Sequence, residues 1–454
     1  MKVRERAAVS PTAIVVVGLA MTGLYVMSVL LLMSKSTYDS WGALLLGPLL
    51  IAITLPAFAR QAAREHDRRL FWLLFVALLL KLGGTLARYY VAFGLYGGGA
   101  DAQAYFESGV RISDRFLSGN FDTGLPSLTG TDFIELFTGL IFTITRPTLL
   151  GGFVVYSWLA FLGTFLFYRA FVLAVPEGRP RTYARLLFFI PSMIFWPSSI
   201  GKESWMVFAL GIAAFGIARI LTGTIWRGLA WAGVGMWLVS IVRPHIAGMM
   251  ALGLVFAHVI RRSPRKHREL APIFKGVSLA VLAVAAAFLV VRAQRFLQTE
   301  SLAEALRFTA ERTGKGGSEF QPATLLSPAR APIAILTVLF RPTIADATNF
   351  QSLIAALEGT FLFVLSVVRI RWIVTAARSI RRQPYVAFAV IYTAILIVGL
   401  SAFSNFGLLS RERVQLLPIF LILLSSPPRN QREPAEARGA EVARAVLPGH
   451  SGRR

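Results

Sequence analysis

Asp101 stands in the stretch GGGADAQAYFESG, where a long hydrophobic pattern stops. Further along, Lys202 and Glu203 follow WPSSIG, and Arg243 and His245 flank Pro244. Arg341 sits in LFRP, and Arg411, Glu412 and Arg413 stand together in NFGLLSRER. Each position falls where an apolar segment begins or ends. Guanidinium groups hold phosphates through bidentate, charge-assisted hydrogen bonds. A cluster of them at a membrane boundary would suit a lipid phosphate or pyrophosphate.

Each of these residues also has a plainer role. Asp101 would serve as a helix N-cap, where Asp is favoured. Glu203 would complement the dipole of a helix that starts beside it. Arg243 and His245 would snorkel to an interface, and Arg411 and Arg413 would pair with Glu412 or with lipid headgroups. His245 has no clustered Cys or His, so no metal site is indicated. Arg88 and Lys81 lie inside an apolar segment, where a charge is costly unless paired or facing a cavity. Arg88 is near enough to the end of that segment to join a site with Asp101; Lys81 has no assigned place.

Composition sets the frame for these charges. The 454 residues are 55% hydrophobic and only 15% charged, with mean hydropathy +0.62. Apolar runs of about 20 residues are long enough to cross a hydrocarbon core of about 30 Å. The fold expected is all-α, a polytopic transmembrane bundle of about 12 helices. No alternation suited to a β-barrel is present. The net charge of +24 is carried by short clusters between apolar segments, as the positive-inside rule requires. It therefore marks topology, and no nucleic-acid partner is expected. There is no cysteine, which excludes disulfides and thiolate metal sites.

Taken in order, a basic start (Lys2, Arg4, Arg6) leads into a first retained helix over 12–33. Helices over 41–59 and 70–96 follow, separated by the four-arginine stretch RQAAREHDRR. That stretch reads as cytoplasmic, which puts Asp101 and the loop 97–147 outside. Within the loop, 101–118 and 131–145 are expected as helices lying in the interface. Later crossings are expected over 148–175, 185–199 (interrupted by Pro191 and Pro197), 204–221, 228–242, 246–260, 275–292, 350–369, 385–403 and 414–425. The cluster RRSPRKHRE marks the cytoplasmic side, and a second outer loop spans 293–349. Residues 1–426 form one transmembrane domain, and 427–454 form a disordered tail rich in Arg, Glu, Ala and Pro. Both termini are expected in the cytoplasm, in a plasma or inner membrane.

No GxxxxGK[ST], HExxH or GxSxG motif occurs, so P-loop, zincin and nucleophile-elbow chemistry are excluded. The order of a basic N-terminus, an outward helix and then DAQAYFESGVRISDRFLSGNF resembles the first outer loop of the GT-C glycosyltransferases. These are polytopic enzymes that move sugars from polyprenyl-phosphate carriers. Asp101, Tyr105 and Gly119 occupy corresponding places. Ala102 stands where many members have a second acid, and an additional helical hairpin precedes the loop. WPSSIGKES, IVRPH, LFRPTIADATN and NFGLLSRER are also similar to membrane proteins of exopolysaccharide clusters, including O-antigen-type polymerases.

The resemblance implies a glycosyltransferase of envelope or exopolysaccharide synthesis. Its partners would be a polyprenyl-phosphate-linked sugar, a glycan or lipid acceptor and membrane lipids, with no cofactor. Asp101 would be the general base. Lys202, Arg243, Arg341, Arg411 and Arg413 would hold the carrier phosphate, while Tyr105 and His245 would line the sugar site and Glu203 would stand beside Lys202. The alternatives are an O-antigen-type polymerase, in which the arginines dominate, and a lipid-linked sugar flippase. A flippase predicts a two-fold repeat of helices, and none is visible.

Overall fold

The computed structural model describes residues 11–98, 101–260, 301–314, 318–323 and 328–428, with isolated positions between 276 and 294. Among the described residues every named element is helical. The expected tail 427–454 lies outside the described residues from 429 onward, as do several positions of the expected helix 275–292.

The chain begins with α1 (Pro11–Lys35), α2 (Tyr38–Arg64) and α3 (Arg68–Tyr89), the last prolonged by a π-helical turn over Tyr90–Leu95. Asp67 caps α3 by accepting from the Arg69 amide at 3.0 Å, which satisfies one of the helix's orphan donors. Gly97 and Gly98, at φ +61° and +83°, turn the chain away from α3; a residue with a Cβ rarely adopts that conformation. Next come α4 (Asp101–Leu117), α5 (Thr131–Thr145) and α6 (Leu149–Ala174). The buried residues of α4 include Ala102, Tyr105, Gly109 and Ile112, one helical face. That face packs on α5, where Gly109 meets Thr138 and Gly139 meets Ile112.

Two expected crossings are divided, the first at the interruption that Pro191 marks. Residues 185–199 form α7 (Pro180–Phe189) and α8 (Pro191–Phe195). Ile190 is extended, at ψ 126°, because a residue before proline avoids the helical region. The segment 414–425 is likewise divided, into a 3₁₀ turn (Arg413–Gln415) and a later short helix, again with a proline, Pro418, just inside the second piece. Between these lie α9 (Lys202–Thr222), α10 (Ile225–Val242), α11 (Pro244–Ile260), α12 (Leu302–Thr313), α13 (Ala331–Phe340), α14 (Phe350–Val368), α15 (Ile370–Arg378), α16 (Pro384–Leu400) and α17 (Phe406–Glu412). The last piece is α18 (Leu417–Leu424).

Six described helices are long and apolar enough to cross a membrane: α2, α3 with its π turn, α6, α9, α10 and α14. This defines the chain as a membrane-embedded helical protein. Helix α9 is the centre: 83% of its apolar window is buried, against 28% for α2 and α14. Glycines let its neighbours approach, as in other membrane bundles. Gly211 of α9 lies against the Gly163 carbonyl of α6, and Gly235 of α10 lies against Ala213 of α9. The outer helices turn side chains such as Leu45, Leu49, Ile53 and Val368 away from the protein.

Candidate functional site

The site assembles where four helix ends meet. Asp101 is the first described residue of α4 and lies in its first turn. Lys202 and Glu203 open α9, Arg243 closes α10 just before Pro244, and Arg411 and Glu412 end α17. Helix α17 is started by Asn405, whose side chain accepts from the Leu408 amide at 3.1 Å.

These residues form a continuous chain of charges. Arg411 donates to one Asp101 oxygen from Nη1 and Nη2, at 3.1 and 3.0 Å. Its Nε lies 2.8 Å from Glu203 Oε1, and its Nη2 donates to Glu203 Oε2 at 2.9 Å. Arg243 also approaches Glu203, at 3.4 Å, and grips Glu412 with both Nη atoms, one of them at 2.6 Å. Gln415 donates to the same Glu412 carboxylate. Glu412 therefore faces Arg243 and Gln415 rather than its sequence neighbours Arg411 and Arg413. Adjacent residues on a helix do not face one another.

The chain runs from solvent into the protein. The Asp101 side chain is 61% exposed, while that of Glu203 is 4% exposed. The Glu203 carboxylate holds the Arg411 guanidinium charged, with a pKa above the ordinary arginine value. Burial pushes the Tyr105 phenol above its usual range, and the Asp101 charge adds to this. Tyr105 and Glu203 flank Gly201, where an added Cβ would lie 3.7 and 3.5 Å from them.

A cavity of about 150 Å³ opens beside this chain, lined by Arg88, Asp101, Ser199, Ile200, Glu203 and Arg411. Arg88 reaches it from α3. Its guanidinium lies over the rings of Phe195 and Trp196, 5.1 and 5.0 Å from their centroids, an arrangement favourable for a cation. Arg88 Nε has no hydrogen-bond partner among the described residues. Lys202 donates to Thr131 Oγ1 at 2.8 Å, which joins the starts of α9 and α5. Four cations (Arg88, Lys202, Arg243, Arg411) thus face three carboxylates (Asp101, Glu203, Glu412).

The remaining expected residues have other surroundings. Arg341 pairs with Asp346 at 2.6 Å and lies over the Phe320 and Phe406 rings. Arg413 is buried, with 1% of its surface exposed, and donates to the Arg341 carbonyl. Neither guanidinium lines the cavity. His245 is half-buried in the first turn of α11. Among the described residues no group of three His, Asp or Glu side chains is placed to hold a metal ion.

Sequence reasoning left out Ser199, Ile200 and Gln415, and gave Arg88 only a marginal place. No motif marks the first three. Arg88 carried a usable signal: an arginine in an apolar run, seven residues after Lys81 and so on the same helical face.

No protein-family model, characterised protein or solved structure matches the chain. The site therefore defines a class: a membrane-embedded helical protein with a polar, charge-lined cavity at one end of its apolar helices.

Proposed function

We propose that the chain is a membrane glycosyltransferase. It would move a sugar from a polyprenyl-(pyro)phosphate carrier to an acceptor on the outer face of a plasma or inner membrane. The observation that carries this reading is the cavity bounded by Asp101, Glu203, Arg88 and Arg411. Its volume of about 150 Å³ matches cavities that take a single six-membered ring. Its walls differ from those of an apolar ring site, since carboxylate and guanidinium groups meet hydroxyls by charge-assisted hydrogen bonds.

Asp101 is the exposed carboxylate of the group. In the reaction it accepts the proton of an acceptor hydroxyl, whose oxygen attacks the anomeric carbon. The bond from that carbon to the phosphate oxygen breaks, and the phosphate leaves with the electron pair. Arg88 and Lys202, which form no salt bridge with the carboxylates of the site among the described residues, stabilise the charge that develops there. Arg411 holds Asp101 in place and links it to the buried Glu203.

Arg243 and Arg411 already grip carboxylates. This favours the transferase over a polymerase relying on free arginines to bind pyrophosphate. With the basic clusters inside, the expected even number of crossings would leave both termini in the cytoplasm. The test is Asp101→Asn in a host that depends on the polymer, with the level of membrane-inserted protein measured in parallel. Loss of glycan at normal protein level supports the base role, and undiminished glycan overturns it.

A further inference from the structure

Helices α3 and α14 each bury a charge that the chemistry above does not use. Lys81 is 4% exposed and Glu358 is also 4% exposed, each within a helix long enough to cross a membrane. Burying a charge in such a segment is costly and calls for a partner. The hydrogen-bond partners of both lie on the five residues of α8. Lys81 Nζ donates to the Met193 carbonyl at 2.7 Å. Glu358 Oε2 accepts from the Ser192 amide at 2.6 Å, next to Pro191, which has no amide hydrogen.

Helix α8 and the non-helical residues after it lead directly to the cavity. Phe195 and Trp196 carry Arg88, and Ser199 and Ile200 form the cavity wall. Backbone without regular structure at membrane depth persists only where protein surrounds it and satisfies its polar groups. Here the residues from Pro197 to Gly201 are buried. Ser198 donates to the Ile194 carbonyl, Ser157 of α6 donates to Ser198 at 3.2 Å, and Ser204 donates to the Ser199 carbonyl at 2.7 Å. Gly84 of α3 lets the Ile194 carbonyl approach, since a Cβ there would meet it at 2.6 Å.

We infer that Lys81 and Glu358 are positioning residues: a two-point clamp from α3 and α14 that fixes the segment 191–201 and, through it, the wall of the Asp101 cavity. The role assigned to the cavity rests on the sugar-transfer reading, whereas the clamp itself is tested without turnover.

The absence of cysteine makes labelling direct. Ser199→Cys is introduced into the full chain in lipid nanodiscs, and its rate of reaction with a charged methanethiosulfonate is measured. Lys81→Met and Glu358→Leu each remove one grip and leave a buried backbone group unpaired, so labelling accelerates by at least about tenfold. Lys81→Arg and Glu358→Gln keep a donor and an acceptor, and their rates stay within about twofold of the parent. Rates for Lys81→Met and Glu358→Leu within that same twofold would overturn the clamp. A second measurement uses the unaltered chain and covers variants that do not fold. Amides 192–196 and 198–201 must exchange far more slowly than those of the exposed stretch 118–122, and equal exchange overturns the clamp as well. Slow exchange and the expected labelling, in a protein inactive on every lipid-linked sugar, would retain the clamp and remove only the sugar reading.

Discussion

Arg411 binds Asp101 and Glu203 with one guanidinium, at 3.0 Å and 2.8 Å. The two carboxylates have different environments, 61% and 4% exposed, and so their neutral replacements should have opposite consequences. Asp101→Asn removes an exposed partner, and stability should change by less than about 1 kcal/mol. Sugar transfer should fall by about 10²–10⁴-fold if a general base is lost. A thermal melt paired with product formation from a lipid-linked sugar reads both. A folded, fully active Asp101→Asn protein would remove Asp101 from the chemistry.

Glu203→Gln should behave in the reverse order, with stability failing first. It leaves Arg411 and Arg243 facing a neutral amide in a buried site, and breaking a buried pair costs about 3–5 kcal/mol. The expected result is a clear drop in melting temperature in detergent. Glu203 also receives both arginines, so Glu203→Gln and Arg243→Met should be strongly non-additive in a double-mutant cycle. Additive losses would mean that the two residues do not share one network.

The centre of the bundle makes a separate demand. A Cβ at Gly163 would run into the Val207 carbonyl and the Phe208 backbone of α9. Backbone does not give way as a side chain does, so Gly163→Ala should force α6 and α9 apart and cost at least about 3 kcal/mol. Gly233, with nothing near its Cβ, provides the control, and Gly233→Ala should leave the melting temperature unchanged or raised. Similar melting temperatures for the two variants would contradict the close packing of α6 on α9.

Helix periods were readable where one physical pattern dominated. The expected helices over 101–118 and 131–145 correspond to α4 (Asp101–Leu117) and α5 (Thr131–Thr145), because amphipathic spacing and length are local properties of sequence. The interruption at Pro191 was readable, because a residue before proline avoids the helical region, whereas the division within 413–417 was not, since Pro418 lies inside the second piece and does not fix where the first one ends. The charged site was half legible. Sorting charges by side gathered Asp101, Glu203, Arg243 and Arg411 correctly into one neighbourhood, because all stand at helix ends. Partner choice was not legible: Glu412 turns to Arg243, 169 positions away. Lys81 remained unplaced for the same reason, as its partner is the Met193 carbonyl, 112 positions away, and carbonyls leave no trace in a sequence.

The Arg341–Asp346 pair predicts a pH dependence. Hydrogen bonds from Arg341 hold the Asp346 carboxyl down to about 2, below its ordinary value near 4. A depressed carboxyl stabilises the fold above its unfolded value, and that contribution is lost as pH falls through the folded value. Asp346→Asn should therefore lower the melting temperature by a constant amount above about pH 5, and the gap from the parent should close between about pH 4 and 2. A gap that persists unchanged at low pH would show that the carboxylate charge is not what holds the turn.

Arg88→Lys separates charge from shape. Lysine keeps the positive charge but loses the planar group that lies over Phe195 and Trp196, and a stacked arginine is not replaceable by lysine. If Arg88 meets the carrier phosphate, the variant should fold normally, bind the lipid-linked sugar more weakly and transfer it at least about tenfold more slowly. The neutral Arg88→Met should be slower still while retaining contact with both rings. Michaelis analysis with a polyprenyl-phosphate sugar distinguishes the two contributions. Parent-like rates for both variants would show that neither the charge nor the stacking serves transfer, and would leave the phosphate to Lys202 alone.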